Sequence, residues 1–207
     1  MKKNIAVFAS GRGSNFEAIA ESVESGVIKI NLALLVCDNP GAPVLAKARK
    51  AGVKVFLVKR GDFAQKKDFE GAIIRELKNN RIDLIVMAGF MRMLSPHIVK
   101  AFKFRIINIH PALLPSFKGA CGIKDAFDYG VKVTGVTVHF VDEAMDHGPI
   151  ILQKEVEISE SDTLKSLEEK IHKVEHKLYP EAIELISEGK VRLKGRRVRI
   201  TKVRRAG

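Results

Sequence analysis

The sequence predicts an α/β protein built on a mostly parallel, twisted sheet, with helices on both faces and an antiparallel extension toward the C-terminal end. Three observations predict it. Short apolar runs alternate with amphipathic stretches through the first half of the chain. The first run passes directly into a glycine-bearing turn, Gly11-Arg12-Gly13-Ser14-Asn15, that opens an amphipathic stretch. In the second half, two neighbouring runs flank Asp146-His147-Gly148-Pro149, which reads as the turn of a hairpin.

The elements follow in order. Ile5 to Ala9 is a strand, and Asn15 to Glu24 is a helix with Phe16, Ile19, Ala20 and Val23 at helical spacing. Leu32 to Cys37 is a second strand. Val44 to Ala51 is a helix that Gly52 ends, and Val53 to Val58 is a third strand. Phe63 to Lys78 is a long helix with Phe69, Ile73 and Leu77 on one face. Leu84 to Ala88 and Ile106 to Ile109 are the fourth and fifth strands. Strands alternating with helices pair in parallel, so this half is Rossmann-like. Val133 to Val141 and Ile150 to Ile158 form the antiparallel pair. A helix from about Thr163 to Glu188 buries Leu164, Leu167, Ile171, Val174 and Leu178. Ser161, Asp162 or Thr163 caps it, and Pro180 is expected to bend or interrupt it. Val191–Leu193 and Val198–Ile200, around Gly195-Arg196, read as a small basic hairpin.

The 207 residues suffice for one domain with a substantial core, taken as residues 1–189, followed by a basic tail or hairpin over 190–207. With 46% hydrophobic and 29% charged residues the chain reads as soluble and globular. No run approaches the roughly 20 apolar residues that span a bilayer. Lys2-Lys3 before an apolar run resembles the start of a signal peptide. That run has only the length of a strand and leads into the glycine turn, so a cytoplasmic protein is expected. The two cysteines, Cys37 and Cys121, lack metal-ligand spacing and suit a reducing compartment. The net charge is +12, and nine Lys or Arg with no acidic residue lie between Lys190 and Arg205. Beyond solubility, such a charge suits small anionic substrates or nucleic acid.

The densest chemical signal is Ile106-Ile107-Asn108-Ile109-His110-Pro111. Side chains at i and i+2 leave a strand on the same face, so the Asn108 amide and the His110 imidazole point together. A proton-transfer group beside a neutral donor suits a reaction that passes through an oxyanion. The Asp146 carboxylate is expected to set the charge of that imidazole. In Gly11–Asn15, glycines and a helix N-terminus offer backbone N–H groups to an anion. The loop is not a dinucleotide fingerprint, since Phe16 stands where the third glycine would be, and it lacks the Gly-Lys-Ser/Thr ending of a Walker loop. A phosphate monoester fits best; a tight turn capped by Ser14 or Asn15 is the alternative. Met87 to Pro96 is either a core-edge loop or a slot for a flat aromatic ligand. His139 alternates within a strand and reads as a half-buried packing residue. His97, His172 and His176 show no partner in sequence, and His172-x-x-x-His176 lacks the Glu of a metalloprotease motif, so no metal is expected.

Five segments, Gly-Arg-Gly-Ser-Asn (11–15), Ala-Gly-Phe-Met-Arg-Met-Leu-Ser (88–95), Asn-Ile-His-Pro-Ala-Leu-Leu-Pro (108–115), Gly-Val-Thr-Val-His-Phe-Val-Asp (135–142) and Met-Asp-His-Gly-Pro-Ile-Ile (145–151), occur in this order. Together they resemble the phosphoribosylglycinamide formyltransferases of the formyltransferase superfamily, over almost the whole chain from Lys3 to about Gly189. The resemblance implies transfer of the formyl group of 10-formyltetrahydrofolate, as co-substrate, to the amine of 5-phosphoribosylglycinamide in de novo purine biosynthesis, without a metal. It implies Asn108, His110 and Asp146 as the catalytic set. It implies that Gly13, Ser14 and Asn15 hold the phosphate and that Glu175 binds the ribose hydroxyls. Lys66, Met91, Arg92, Met93, Leu94, Asn108 and Val141 would line the folate site. The implied partners are small molecules, not a membrane or nucleic acid, for a monomer or homodimer. Two departures stand out: the loop Ser116 to Ala126 differs from many members, and His172 stands where some carry Gln. Rival readings are a methionyl-tRNA formyltransferase, a formyltetrahydrofolate deformylase, and a phosphate-sensing or nucleic-acid-binding module that uses the basic tail.

Overall fold

In the computed structural model, which describes residues 2–201, the chain forms a seven-stranded sheet and a separate two-stranded one. The strands are β1 (Asn4–Phe8), β2 (Asn31–Cys37), β3 (Lys54–Leu57), β4 (Leu84–Met87), β5 (Ile106–His110), β6 (Val133–Phe140) and β7 (Ile150–Glu157), with β8 (Val191–Lys194) and β9 (Arg197–Ile200) apart. The helices are α1 (Ser14–Glu24), α2 (Val44–Lys50), α3 (Lys66–Asn79), α4 (Pro96–Ala101), α5 (Gly122–Tyr129) and α6 (Leu164–Ser187). The large sheet has the order β3-β2-β1-β4-β5-β6-β7. β1 to β5 pair in parallel, and β6 and β7 are added antiparallel. Chain order reverses beside β1, whose neighbours are β2 and β4. Such a switch point opens a crevice at the C-terminal ends of the strands, where ligands bind in sheets of this kind.

Alternation along the strands builds a core on each face. Ile5 and Val7 of β1 join one layer with Phe16, Ile19, Leu167, Ile171 and Tyr179 from α1 and α6. Ala6 and Phe8 join the other with Phe69, Ile73 and Leu77 of α3 and Ile98 of α4. The near-continuous apolar character of β1, β2 and β4 is what burial on both faces demands.

Several boundaries differ from the sequence reading. α3 begins at Lys66 rather than Phe63, because Phe63 is extended and packs edge-to-face on Phe69 with ring centroids 5.8 Å apart. α4 and α5 were not expected. α4 has only 6 residues, too few to repeat an apolar period, and α5 opens on Gly122 in a segment whose glycines read as a loop. Pro180 does not interrupt α6. The buried stripe, Leu167, Ile171, Leu178, Tyr179, Ala182 and Ile183, holds the helix to the sheet on both sides of the proline. Thr163 caps α6 through a reciprocal box with Ser166. The hairpin at Val191–Ile200 forms as read, while Lys202 to Arg205 of the basic tail lie outside the described residues.

Candidate functional site

The C-terminal ends of β1, β4, β5 and β6 gather the candidate residues. Asn108 and His110 leave β5 on one side, as their spacing requires. Pairing across to β6 places Asn108 opposite His139 and His110 opposite Thr137. The turn between β6 and β7 then brings in Asp146, whose backbone is left-handed at φ 47°. Its carboxylate stands between the other groups: 3.4 Å from His110 Nδ1, 3.6 Å from His139 Nε2 and 3.5 Å from Asn108 Nδ2. The Gly119 N–H donates to it at 2.9 Å. Burial works against ionisation of Asp146, but the nearby His139 imidazole, the Gly119 N–H and the charge of His110 outweigh it and hold the pKa below the ordinary 3.8.

His139 is therefore not the half-buried packing residue that alternation suggested. It is fully buried, and it lies in the polar cluster rather than the apolar core. His139 Nδ1–H donates to the Phe140 carbonyl at 2.8 Å, which turns Nε2 toward Asn108 Nδ2 at 3.3 Å. His110 is also buried, and its Nε2–H donates to the Phe117 carbonyl at 2.7 Å. The loop after β5 thus covers the outer nitrogen of His110. A Cβ on Gly122 would lie 3.2 Å from that atom.

Asn108, His139 and Asp146 form one wall of a cavity of about 240 Å³ whose other walls include Phe90, Met91, Arg92, Met93, Leu94 and Val141. Apolar side chains with a few convergent polar groups make a ligand slot. Lys66 does not line this cavity. It borders an adjoining groove with Arg60 and Phe69, and its Nζ donates to the Met93 carbonyl at 2.9 Å. Two buried carboxylates hold the slot loop from behind. Glu70 accepts from the Ser95 N–H at 2.8 Å and from the Ser95 hydroxyl. Asp38, at the tip of β2, accepts from Arg92 and from Ser10, the residue that precedes the glycine loop. The Tyr179 hydroxyl donates to the Met87 carbonyl at 2.7 Å and the Ile107 carbonyl at 3.2 Å, pinning the ends of β4 and β5.

The glycine loop presents the N-terminus of α1. Gly13 is left-handed at φ 71°, and a Cβ there would fall 2.4 Å from Val44 Cγ2, so only glycine fits. Among the described residues no side chain caps α1, so neither Ser14 nor Asn15 takes the capping role, and the helix N-terminus keeps N–H groups for a ligand. Instead Asn15 Nδ2 donates to Glu175 Oε2 at 3.1 Å, while Asn15 Oδ1 is buried without a partner among the described residues. His172 also has a partner that the sequence did not reveal: its Nδ1 lies 3.0 Å from Glu175 Oε2. That bond raises the His172 pKa above 6.5, against its burial and the nearby Arg12. Its ring stacks on His176, whose own pKa burial lowers. Among the described residues no group of His, Cys, Asp or Glu is arranged to hold a metal.

Sequence reasoning missed His139, Asp38 and Glu70. The first carried a signal, because it sits opposite Asn108 once β5 and β6 are paired. The other two are single carboxylates in ordinary positions, an end of a strand and a helix face.

The formyl transferase family matches residues 3–183. The chain is 48% identical over 181 residues to the phosphoribosylglycinamide formyltransferase of Bacillus subtilis, covering 87% of this chain and 93% of that protein. Crystal structures of glycinamide ribonucleotide transformylase 1 from Symbiobacterium toebii and from Geobacillus kaustophilus superpose with TM-scores of 0.94 and 0.88, at 40% and 46% identity. They cover 97% and 90% of this chain, and 95% and 100% of those chains. A formyltetrahydrofolate deformylase from Pseudomonas syringae shares the fold at a TM-score of 0.91 but only 23% identity. The chain belongs to the formyl transferase family, within its phosphoribosylglycinamide formyltransferase branch.

Proposed function

We propose that the enzyme transfers the formyl group of 10-formyltetrahydrofolate to the amine of 5-phosphoribosylglycinamide, giving formylglycinamide ribonucleotide and tetrahydrofolate. One observation carries the reading. Asn108, His139 and Asp146 form the polar wall of an apolar slot, on the same sheet edge as an uncapped helix N-terminus. The slot formed by Met91 to Leu94 and Val141 takes the flat pterin, with Arg92 at its charged rim and Lys66 beside the adjoining groove. Gly13, Ser14 and Asn15 take the phosphate, and Glu175 the ribose hydroxyls. Residues 1–189 make up the formyltransferase domain, and 190–207 a basic appendage. The buried Cys37 and exposed Cys121, both free, suit a reducing cytoplasm.

The residues then divide the work. The substrate amine attacks the formyl carbon, and charge develops on the formyl oxygen. The Asn108 amide supplies one donor. Protonated His110 supplies another once its Nε2–H is released from the Phe117 carbonyl, so the loop over His110 must yield to substrate. The Asp146 carboxylate stands 3.4 Å from His110 Nδ1, where it complements the imidazolium that donates. A water held by Asp146 carries the proton from the amine to the folate nitrogen as the intermediate collapses. No covalent enzyme intermediate is needed.

The test is formyl transfer from 10-formyltetrahydrofolate with and without the ribonucleotide, followed by product mass. Formylated ribonucleotide appearing only with both substrates supports the proposal. Formate release without acceptor points to a deformylase, and absence of folate turnover refutes both readings.

A further inference from the structure

The turn that carries Asp146 is tied to itself and to a distant part of the chain. Within it, the Ala144 N–H donates to Asp142 Oδ1 at 3.0 Å, and His147 Nδ1 lies 2.7 Å from Asp142 Oδ2. Gly148 is wedged so closely that a Cβ would fall 1.7 Å from the Phe140 carbonyl oxygen. From outside, Arg196 at the tip of the β8–β9 hairpin reaches the same turn. One guanidinium nitrogen donates to the His147 carbonyl, and the other lies 3.3 Å from His147 Nε2. An Arg donor on Nε2 leaves the His147 proton on Nδ1, where it is given to Asp142. Arg196, His147 and Asp142 thus form a directed chain ending at the base of the turn.

The hairpin is a firm support for that contact. Val191, Leu193 and Val198 pack on the core layer beneath α6, and β9 lies against β7. The planar fork of Arg holds two acceptors at fixed angles, which a lysine does not. The hairpin lies outside residues 3–183, the part of the chain that the family match covers.

We propose that Arg196 is a positioning residue for Asp146: by holding both the carbonyl and the imidazole of His147, it fixes the left-handed turn that aims the carboxylate at Asn108, His110 and His139. The inference rests on the reading of Asp146 as part of the catalytic set.

R196A and R196K are compared with the parent in full-length protein, with R197A as a surface control. Displacing a reacting group by a fraction of an ångström lowers kcat in R196A by about tenfold. The KM for the ribonucleotide stays within about twofold, because the phosphate loop is built on other elements. R196K recovers part of the loss, and R197A none is expected to lose. The acid limb of kcat in R196A moves to higher pH, since Asp146 loses the donors that keep it ionised. The double variant D146N/R196A is no slower than D146N alone. Parent-like kcat in R196A overturns the inference, as does an equal loss in the D146N background or a lowered Tm with unchanged kcat. Near-parent turnover in D146N removes the premise itself, which separates that failure from the others.

Discussion

Asp146 is the residue on which most of the proposed chemistry converges. Its Asn variant keeps the shape and removes the charge, so D146N should lower turnover by about 10²–10⁴, as should His110→Ala, with far-UV circular dichroism unchanged. Parent-like rates in both would remove the mechanism. The depressed pKa also fixes a sign. Stability from this carboxylate is present above its ordinary 3.8 and is lost as pH falls through the lower folded value. Urea midpoints of the parent and D146N should therefore differ near neutral pH and converge in strong acid. His172 has the opposite sense. Its pKa is raised by Glu175, so its stabilising contribution is full below 6.5 and disappears as pH rises through the folded value. H172Q should accordingly be less stable than the parent at pH 6 and equal to it well above neutrality; a gap that persists there would contradict the pairing. Asn108, His110 and Asp146 were legible in sequence because two share a strand face and the third follows in a turn. His139 was not, because alternation along a strand is the same for a packing residue and a buried polar one.

At the scale of elements, strand and helix periods predicted every strand of the large sheet and the helices α1, α2, α3 and α6. They said nothing of α4, whose 6 residues leave no period to read, nor of α5, which opens on Gly122 in a segment whose glycines read as a loop. Pro180 leaves α6 uninterrupted because burial on both sides overrides local propensity. The turns are where sequence and geometry agree most tightly, because two glycines there have no substitute. Gly148→Ala must push the Phe140 carbonyl away and reshape the turn that carries Asp146. Turnover should be lost even where a folded protein is recovered. Gly13→Ala meets Val44 and a left-handed backbone together, so it should cost about 1–3 kcal/mol in urea unfolding and weaken ribonucleotide binding. Unchanged affinity in G13A would argue against this loop as the phosphate site.

On the scale of the whole molecule, α6 ties the site to the core. Tyr179 is completely buried, and its hydroxyl joins the ends of β4 and β5, the strands that carry the slot loop and the polar cluster. Tyr179→Phe leaves no cavity but removes both bonds, and should destabilise the protein by about 1–3 kcal/mol in urea denaturation. A neutral result would mean that those carbonyls are satisfied without the hydroxyl. The parallel pairing, the antiparallel extension and the sheet edge holding the site were all legible from the succession of elements, whereas the strand order was not. The closure of the 116–122 loop over His110 was not, since it depends on backbone groups that any sequence supplies.

The split between β4–β6, which shape the apolar slot and its polar wall, and the β1–α1 loop with α6, which face the proposed phosphate and ribose, has a consequence for engineering. In the proposed reading, the carrier of the one-carbon unit and its recipient are recognised by different stretches of chain, joined at Asp38 between Ser10 and Arg92. New acceptors for the same transfer can therefore be sought by diversifying Gly11, Arg12, Ser14, Asn15 and the exposed face of α6, keeping Gly13 and leaving the chemistry untouched.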